Sequence, residues 1–156
     1  MQELVKEVTT EGNWPLQGQV FLSLFDRYIP FAVEDEASIE YVIQCAEYMN
    51  SWSEETIESL CQACIRYCND FREMIGEDTI EFSSPREVLE LVHPTSLIVP
   101  NPDFPEPVAH LELNCDWEEE HGMEWIVRGA KVLYVGGFNG QSPWESFVPK
   151  KSWNYA

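Results

Sequence analysis

VAHLELNCDWEEEHGMEWIVRGAKVLYVG, residues 108–136, is the stretch on which the fold turns. Over its first eight residues Ala109, Leu111, Leu113 and Cys115 alternate with His110, Glu112 and Asn114. Successive strand side chains point to opposite faces, so this period of two predicts a half-buried strand whose polar face carries His110, paired with Glu112 or a neighbour. Residues 123–128 and 131–136 are rich in Val, Ile, Trp and Tyr, which suit a pleated surface, and Gly129-Ala130 offers a tight turn between them. Three strands in succession make an antiparallel meander.

Upstream, GQVFLSLFDRYIPFAVE (residues 18–34) holds two apolar runs around Asp26-Arg27, with Val20, Leu22 and Leu24 alternating against Gln19, Phe21 and Ser23. The pattern predicts a β-hairpin, and Asn13-Trp14-Pro15 suits the entry to its first strand, where proline is tolerated. Residues 35–38 break the alternation. Ile39, Val42, Ile43, Ala46 and Met49 then recur at spacings of three and four, which predicts a helix of about three turns. Ser51 stands three residues before Glu54, a capping-box spacing, and marks the start of a second helix with Glu54 and Glu55 in its first turn. Its apolar stripe is Ile57, Leu60, Cys61, Cys64, Cys68, Phe71 and Ile75, its stop is Gly76, and the two helices are expected to pair antiparallel. Ser84-Pro85-Arg86-Glu87 combines a capping serine, a proline fit for the first helical position and a glutamate, so a short helix is expected over residues 88–92, ended by His93-Pro94. Four prolines in residues 100–107, PNPDFPEP, impose an extended linker. The closing residues 138–156 have no period but hold five aromatics, and are expected to pack across the sheet. The expected fold is α+β in a single domain, residues 1–156. It comprises an N-terminal β-hairpin, an antiparallel helix pair, a short helix and a C-terminal antiparallel meander, with hairpin and meander in one antiparallel sheet.

The chain has 156 residues, with 9 Lys and Arg against 28 Asp and Glu and a net charge of −19. Such a charge repels phosphates and argues against direct nucleic-acid binding. A hydrophobic content of 44% is ample for a buried core and inconsistent with disorder throughout. No apolar run approaches the ~18 residues of a membrane span, and MQELVKEVTTEG lacks the basic and apolar regions of a secretory signal, so a cytoplasmic location is expected. Five cysteines, three of them on one helix, fit reduced thiols. The charge is unevenly placed: residues 28–65 contain eight acids and residues 87–127 ten, with no Lys or Arg in either stretch. Acidic faces of this kind keep a protein in solution, and they also attract a basic protein partner.

The densest polar cluster is Asp116-Trp117-Glu118-Glu119-Glu120-His121, expected in a loop between two strands and taken as the candidate binding surface. Glu119, Glu120 and His121 are also donors of the types that bind manganese, iron or zinc, which gives a metal-assisted hydrolase as the alternative, although the spacing matches neither H-E-x-x-H nor a calcium loop. The plainer reading has Trp117 plugging the core, Gly122 in a conformation closed to other residues and the acids facing water. Cys61, Cys64 and Cys68 with Cys45 offer thiolates for zinc or an iron–sulfur cluster, but small cysteines on an apolar helical stripe are ordinary core residues. His93 reads as a helix terminator. No nucleophile elbow accompanies the three histidines, and no phosphate-binding loop is present, so no cofactor is expected.

Trp14, the run Gly18-Gln19-Val20-Phe21-Leu22-Ser23-Leu24-Phe25, the two helices, and Trp117-x-Glu119-Glu120-His121-Gly122 followed by a strand hairpin resemble an uncharacterised bacterial domain family. The resemblance spans most of the chain except its last twenty residues. It implies a small standalone protein without an assigned activity, and some members of such families are similar to immunity proteins of contact-dependent toxin systems. It supplies no catalytic residue.

Overall fold

Sequence order is also spatial order in this protein's sheet. The computed structural model describes residues 3–10, 16–34, 37–147 and 153–156, so the expected strand entry at Asn13-Trp14-Pro15 lies outside the described residues. Seven strands follow one another across a single sheet: β1 (Val5–Thr9), β2 (Gln17–Leu22), β3 (Arg27–Val33), β4 (Val92–Val99), β5 (Val108–Cys115), β6 (Glu118–Arg128) and β7 (Lys131–Gly137). Between β3 and β4 run α1 (Ile39–Met49), α2 (Glu54–Met74) and a 3-10 turn over Pro85–Leu91. The fold is therefore α+β, dominated by its sheet.

The hairpin of β2 and β3 and the strand β5 stand where the alternation placed them, and β6 and β7 hold the two runs rich in Val, Ile, Trp and Tyr. Two strands were not legible. In β1 the apolar residues Val5 and Val8 are three apart, because the strand bulges between Lys6 and Thr9 and Glu7 adopts a left-handed φ of +55. The bulge shifts the phase of the alternation. His93-Pro94 does not merely stop a helix: the 3-10 turn passes straight into β4 at Val92. Pro94 is tolerated there because β4 is irregular between Pro94 and Ser96, and its pairing with β3 begins only at Leu97. That pairing, Phe31↔Leu97 to Val33↔Val99, is parallel. Hairpin and meander share one sheet as expected, but the joint between the two halves is not antiparallel.

The helices are placed by their caps. Ser38 Oγ accepts from the Tyr41 N–H at 3.2 Å to open α1. At the far end Asn50 donates to the carbonyls of Ala46 and Phe21 and accepts from the Ser23 N–H, which ties the helix to the turn after β2. α2 is capped by Ser53, whose Oγ accepts from the Thr56 N–H, and not by Ser51, whose hydroxyl instead donates back to the Tyr48 carbonyl. Gly76, at φ +82, stops it as expected. The main neighbours of α1 are β5, β2 and β1, and those of α2 are β7 and the 3-10 turn. Each helix thus lies chiefly on the sheet rather than on its partner. The inner face of α1 holds Tyr41, Val42, Cys45, Ala46 and Met49, while Ile43 is exposed; α2 buries Leu60, Cys61, Ala63, Cys64, Tyr67 and Cys68 and leaves Ile75 exposed.

The core lies between these helices and one sheet face, where Val20, Phe31, Leu97, Leu111, Met123, Trp125 and Val135 are buried. The opposite face is covered where β5, β6 and β7 run side by side. There Val108, Ile126 and Tyr134 are buried, with Phe147 and Trp153 about the Tyr134 ring at 6.2 and 5.9 Å. The last residues close the edge of β7: the Tyr155 N–H donates to the Val135 carbonyl, and the Asn154 side chain bonds to Leu133 and Val135. The closing segment packs against the sheet as its aromatics implied; residues 148–152 lie outside the described residues.

Candidate functional site

The acidic stretch expected as a loop is a turn followed by a bulged strand. Cys115 pairs with Glu118 across Asp116-Trp117, and pairing resumes at Leu113↔Met123, so residues 119–122 of β6 face Asn114 alone. Gly122, at φ +76, supplies the left-handed conformation of the bulge, and a side chain on it would meet the Leu113 carbonyl at 3.4 Å. Glu118 turns inward and holds the bulge closed. Its carboxylate accepts from the backbone N–H groups of Glu120 at 2.8 Å and His121 at 3.2 Å, and lies 3.1 Å from His121 Nδ1. Trp117 is buried, edge-to-face with Tyr67 at 5.5 Å. Asp116 is fixed twice, by its N–H to the Leu91 carbonyl and by its carboxylate 2.8 Å from His93 Nε2, so His93 is a strand residue paired with the cluster. Glu119, Glu120 and the His121 ring face solvent.

This bulge forms one wall of an open groove of about 670 Å³. α2 contributes Tyr67, Asp70, Phe71 and Met74 to the other wall, and the chain end contributes Trp153 and Tyr155. The Tyr155 ring stacks on Tyr67 at 4.8 Å, and its hydroxyl donates to Asp70 Oδ2 at 2.6 Å. Burial, and then the Asp70 carboxylate, hold that hydroxyl above its ordinary pKa, so it remains a donor. Five carboxylates line the groove, those of Asp70, Asp116, Glu118, Glu119 and Glu120, and no Lys or Arg does among the described residues. Met74 is 70% exposed and Trp153 45%. An open acidic trough with aromatic rings set into it attracts cationic side chains through both charge and ring faces.

Among the described residues no three His, Cys, Asp or Glu side chains gather where one metal ion would be held. Glu119, Glu120 and His121 are therefore not arranged as the ligand set considered, and neither are Cys45, Cys61, Cys64 and Cys68. All five thiols are free and buried. Burial pushes Cys61 up to about 11 and Cys115 to about 12, and lifts Cys64 well above its ordinary value. A buried neutral thiol is a poor nucleophile. The folded protein is therefore expected to leave all five cysteines unmodified by a thiol reagent at neutral pH, and to expose all five in urea. The folded chain keeps protons that the unfolded chain releases above the ordinary thiol pKa of 9.0, so stability falls as pH rises past 9. Rapid labelling of the native protein would contradict this.

Sequence reasoning missed a buried, hydrogen-bonded His–Glu pair on the other sheet face. His110 is 4% exposed and does not pair with Glu112; its Nε2 lies 2.5 Å from Glu124 Oε2. Glu124 is wholly buried and also accepts from the N–H groups of Asn139 and Gln141 at 3.1 and 3.2 Å, fastening the strap after β7 across the sheet. The signal was the strand register. His110 stands opposite Ile126 and Glu112 opposite Glu124, so the diagonal neighbour of His110 is Glu124.

The structure thus defines an α+β domain with a seven-stranded sheet, two helices on one face and a strap across the other. The chain belongs to DUF6985, a domain of unknown function, whose family profile matches residues 4–142. Membership of an uncharacterised domain family is what the resemblance implied. No curated protein and no solved structure matches the chain. No helix among the described residues is long and apolar enough to cross a membrane.

Proposed function

We propose that the protein is a non-enzymatic binding module that receives a basic segment of a protein partner in the acidic groove between α2, the β6 bulge and the chain end. One observation carries this reading: five carboxylates and the exposed Met74 and Trp153 line a single open trough that no described Lys or Arg enters. Lys or Arg side chains of the partner would lie against the Trp153 and Tyr155 rings with their charges among the carboxylates. Neutralisation of a basic toxin, as in immunity proteins, is a role of this form, and the family resemblance suggests it.

The test separates the groove from the protein's general acidity. Glu119→Lys with Glu120→Lys is expected to weaken binding of an arginine-rich peptide, followed by Trp fluorescence or calorimetry, by at least about tenfold (~1.4 kcal/mol). Glu40→Lys with Glu47→Lys changes the net charge equally on exposed positions of α1 and is expected to cost far less. Equal losses in the two double variants would show that the peptide senses only net charge, and would overturn the reading. Binding should also weaken steeply with added salt.

A further inference from the structure

β2, β3 and β4 lie side by side in the sheet and contain no Asp or Glu, although the chain has 28 of them and a net charge of −19. Val20, Ile29, Phe31 and Leu97 are buried on the inner face, so Gln19, Phe21, Tyr28, Pro30 and Ser96 point the other way. Both helices lie on the inner face, and the strap covers the outer face where β5, β6 and β7 run. The outer face of β2 and β3 is therefore left uncovered among the described residues. Pro30 and Ala32 are exposed there, and the half-buried Phe21 and Tyr28 rings meet edge-to-face at 5.3 Å. On so acidic a molecule, a face without acids is where another surface can approach without repulsion.

The strand register states which surface fits. Lys6 stands opposite Gln19, Gln19 opposite Pro30, and Ser96 opposite Glu112. Pro30 and Ser96 are neighbours one step before the parallel ladder that begins at Phe31↔Leu97. Lys6, Gln19, Pro30, Ser96 and Glu112 thus form one row across five strands, cationic at one end, anionic at the other and uncharged between. Lys6 shares the outer face, since its ammonium lies 3.9 Å over the Tyr28 ring, and Glu112 shares it because Leu111 and Leu113 are buried on the inner one. Neither Lys6 nor Glu112 has an ion-pair partner among the described residues. Within one chain they cannot meet, because four strand spacings of ~4.8 Å hold them roughly 19 Å apart. Two such rows laid face to face about a two-fold axis at Pro30, parallel to the strands, bring Lys6 of each copy over Glu112 of the other and Gln19 over Ser96. We propose that this face binds a second copy of the chain in a symmetric, sheet-on-sheet dimer. The row shares no residue with the acidic groove, so both grooves of the dimer stay open.

Charge exchange at the two ends of the row tests the assignment. In sedimentation equilibrium the full chain is expected to pass from monomer to dimer as its concentration rises. Lys6→Glu, or Glu112→Lys, sets like charges against each other at both ends of the interface and is expected to weaken the dimer at least about tenfold. Glu112→Lys lowers the net negative charge, so its effect cannot come from general repulsion between acidic molecules. Lys6→Glu combined with Glu112→Lys exchanges the ends and is expected to restore the dimer. An equimolar mixture of the two single variants is expected to form the mixed dimer, although neither variant dimerises well alone. Misfolding produces neither recovery. Ala32→Glu, at an exposed position, places an acid on the acid-free face; it is expected to leave the chain monomeric, with an unchanged circular dichroism spectrum and unchanged binding of the arginine-rich peptide. A monomer at every concentration up to about 1 mM would overturn the proposal. So would a dimer indifferent to Ala32→Glu, or a double variant that fails to recover.

Discussion

Glu124→Ala is expected to cost about 3–5 kcal/mol of stability, because losing one shared acceptor leaves several donors unpaired at about 1–3 kcal/mol each. The carboxylate has no exposed surface and serves three groups at once: His110 Nε2 at 2.5 Å and the backbone N–H groups of Asn139 and Gln141. Truncation leaves His110 buried between strands with neither nitrogen paired, and strips the strap of the side chain that fastens it. The effect therefore has two parts that can be told apart. Urea denaturation reports the total, while hydrogen exchange at the amides of Asn139 and Gln141 reports release of the strap. Glu124→Gln keeps an oxygen for those amides but loses the charge-assisted bond, and is expected to cost about 1–3 kcal/mol. A total loss below about 1 kcal/mol in the alanine variant would mean that the pair contributes nothing beyond a surface salt bridge.

Trp125→Ala is the other large effect expected, again about 3–5 kcal/mol. Trp125 is fully buried at the middle of β6, paired with Leu111 on one side and Val135 on the other, and its ring lies 6.0 Å from that of Phe25 in the turn before β3. The indole thus spans from the C-terminal half of the sheet to the N-terminal hairpin. Its removal opens a cavity where the two halves meet, which local collapse cannot fill. A fall in melting temperature on the order of 10 °C is expected for a chain of this size. Trp125→Phe, which keeps a ring against Phe25, should recover most of it; equal losses in the two variants would show that shape and not volume controls the site.

The regular parts of the fold were legible because their residue types suit a pleated, buried surface. Residues 108–115 alternate in sequence and residues 123–128 and 131–136 are rich in Val, Ile, Trp and Tyr, and strands stand in all three places, although β5 is buried on both faces and not half-buried. Legibility failed wherever the backbone departed from period. The bulge at Glu7 hid β1, and the irregularity around Pro94 made a strand entry look like a helix stop. The cap of α2 was misplaced because Ser51 and Ser53 both offer hydroxyls, and only the chain's course decides which one meets a free N–H. The acidic cluster was found as a cluster but not as a shape. Composition marks Glu118, Glu119 and Glu120 alike, whereas the bulge buries the first and exposes the other two. The groove's second wall, from Tyr67 to Met74 and at Tyr155, could not be anticipated, because its members come from distant parts of the chain. His110 and Glu124 were invisible for the same reason: each looked like an ordinary polar residue on a solvent-facing strand until the strap covered them.

The parallel seam between β3 and β4 is expected to divide the folding of the molecule in time as it divides the sheet in space. Hairpins within each half close through short turns, but Phe31 meets Leu97 only after both helices have been laid down between them. Long closures of this kind are slow. The halves are therefore expected to fold early and the seam to close last. α1, tied by Asn50 to the turn after β2 and lying on β5, is the brace that brings the halves together. Until it docks, two unpaired strand edges carrying Phe31, Val33, Leu97 and Val99 stand open, and edges of that composition are the ones that recruit other chains.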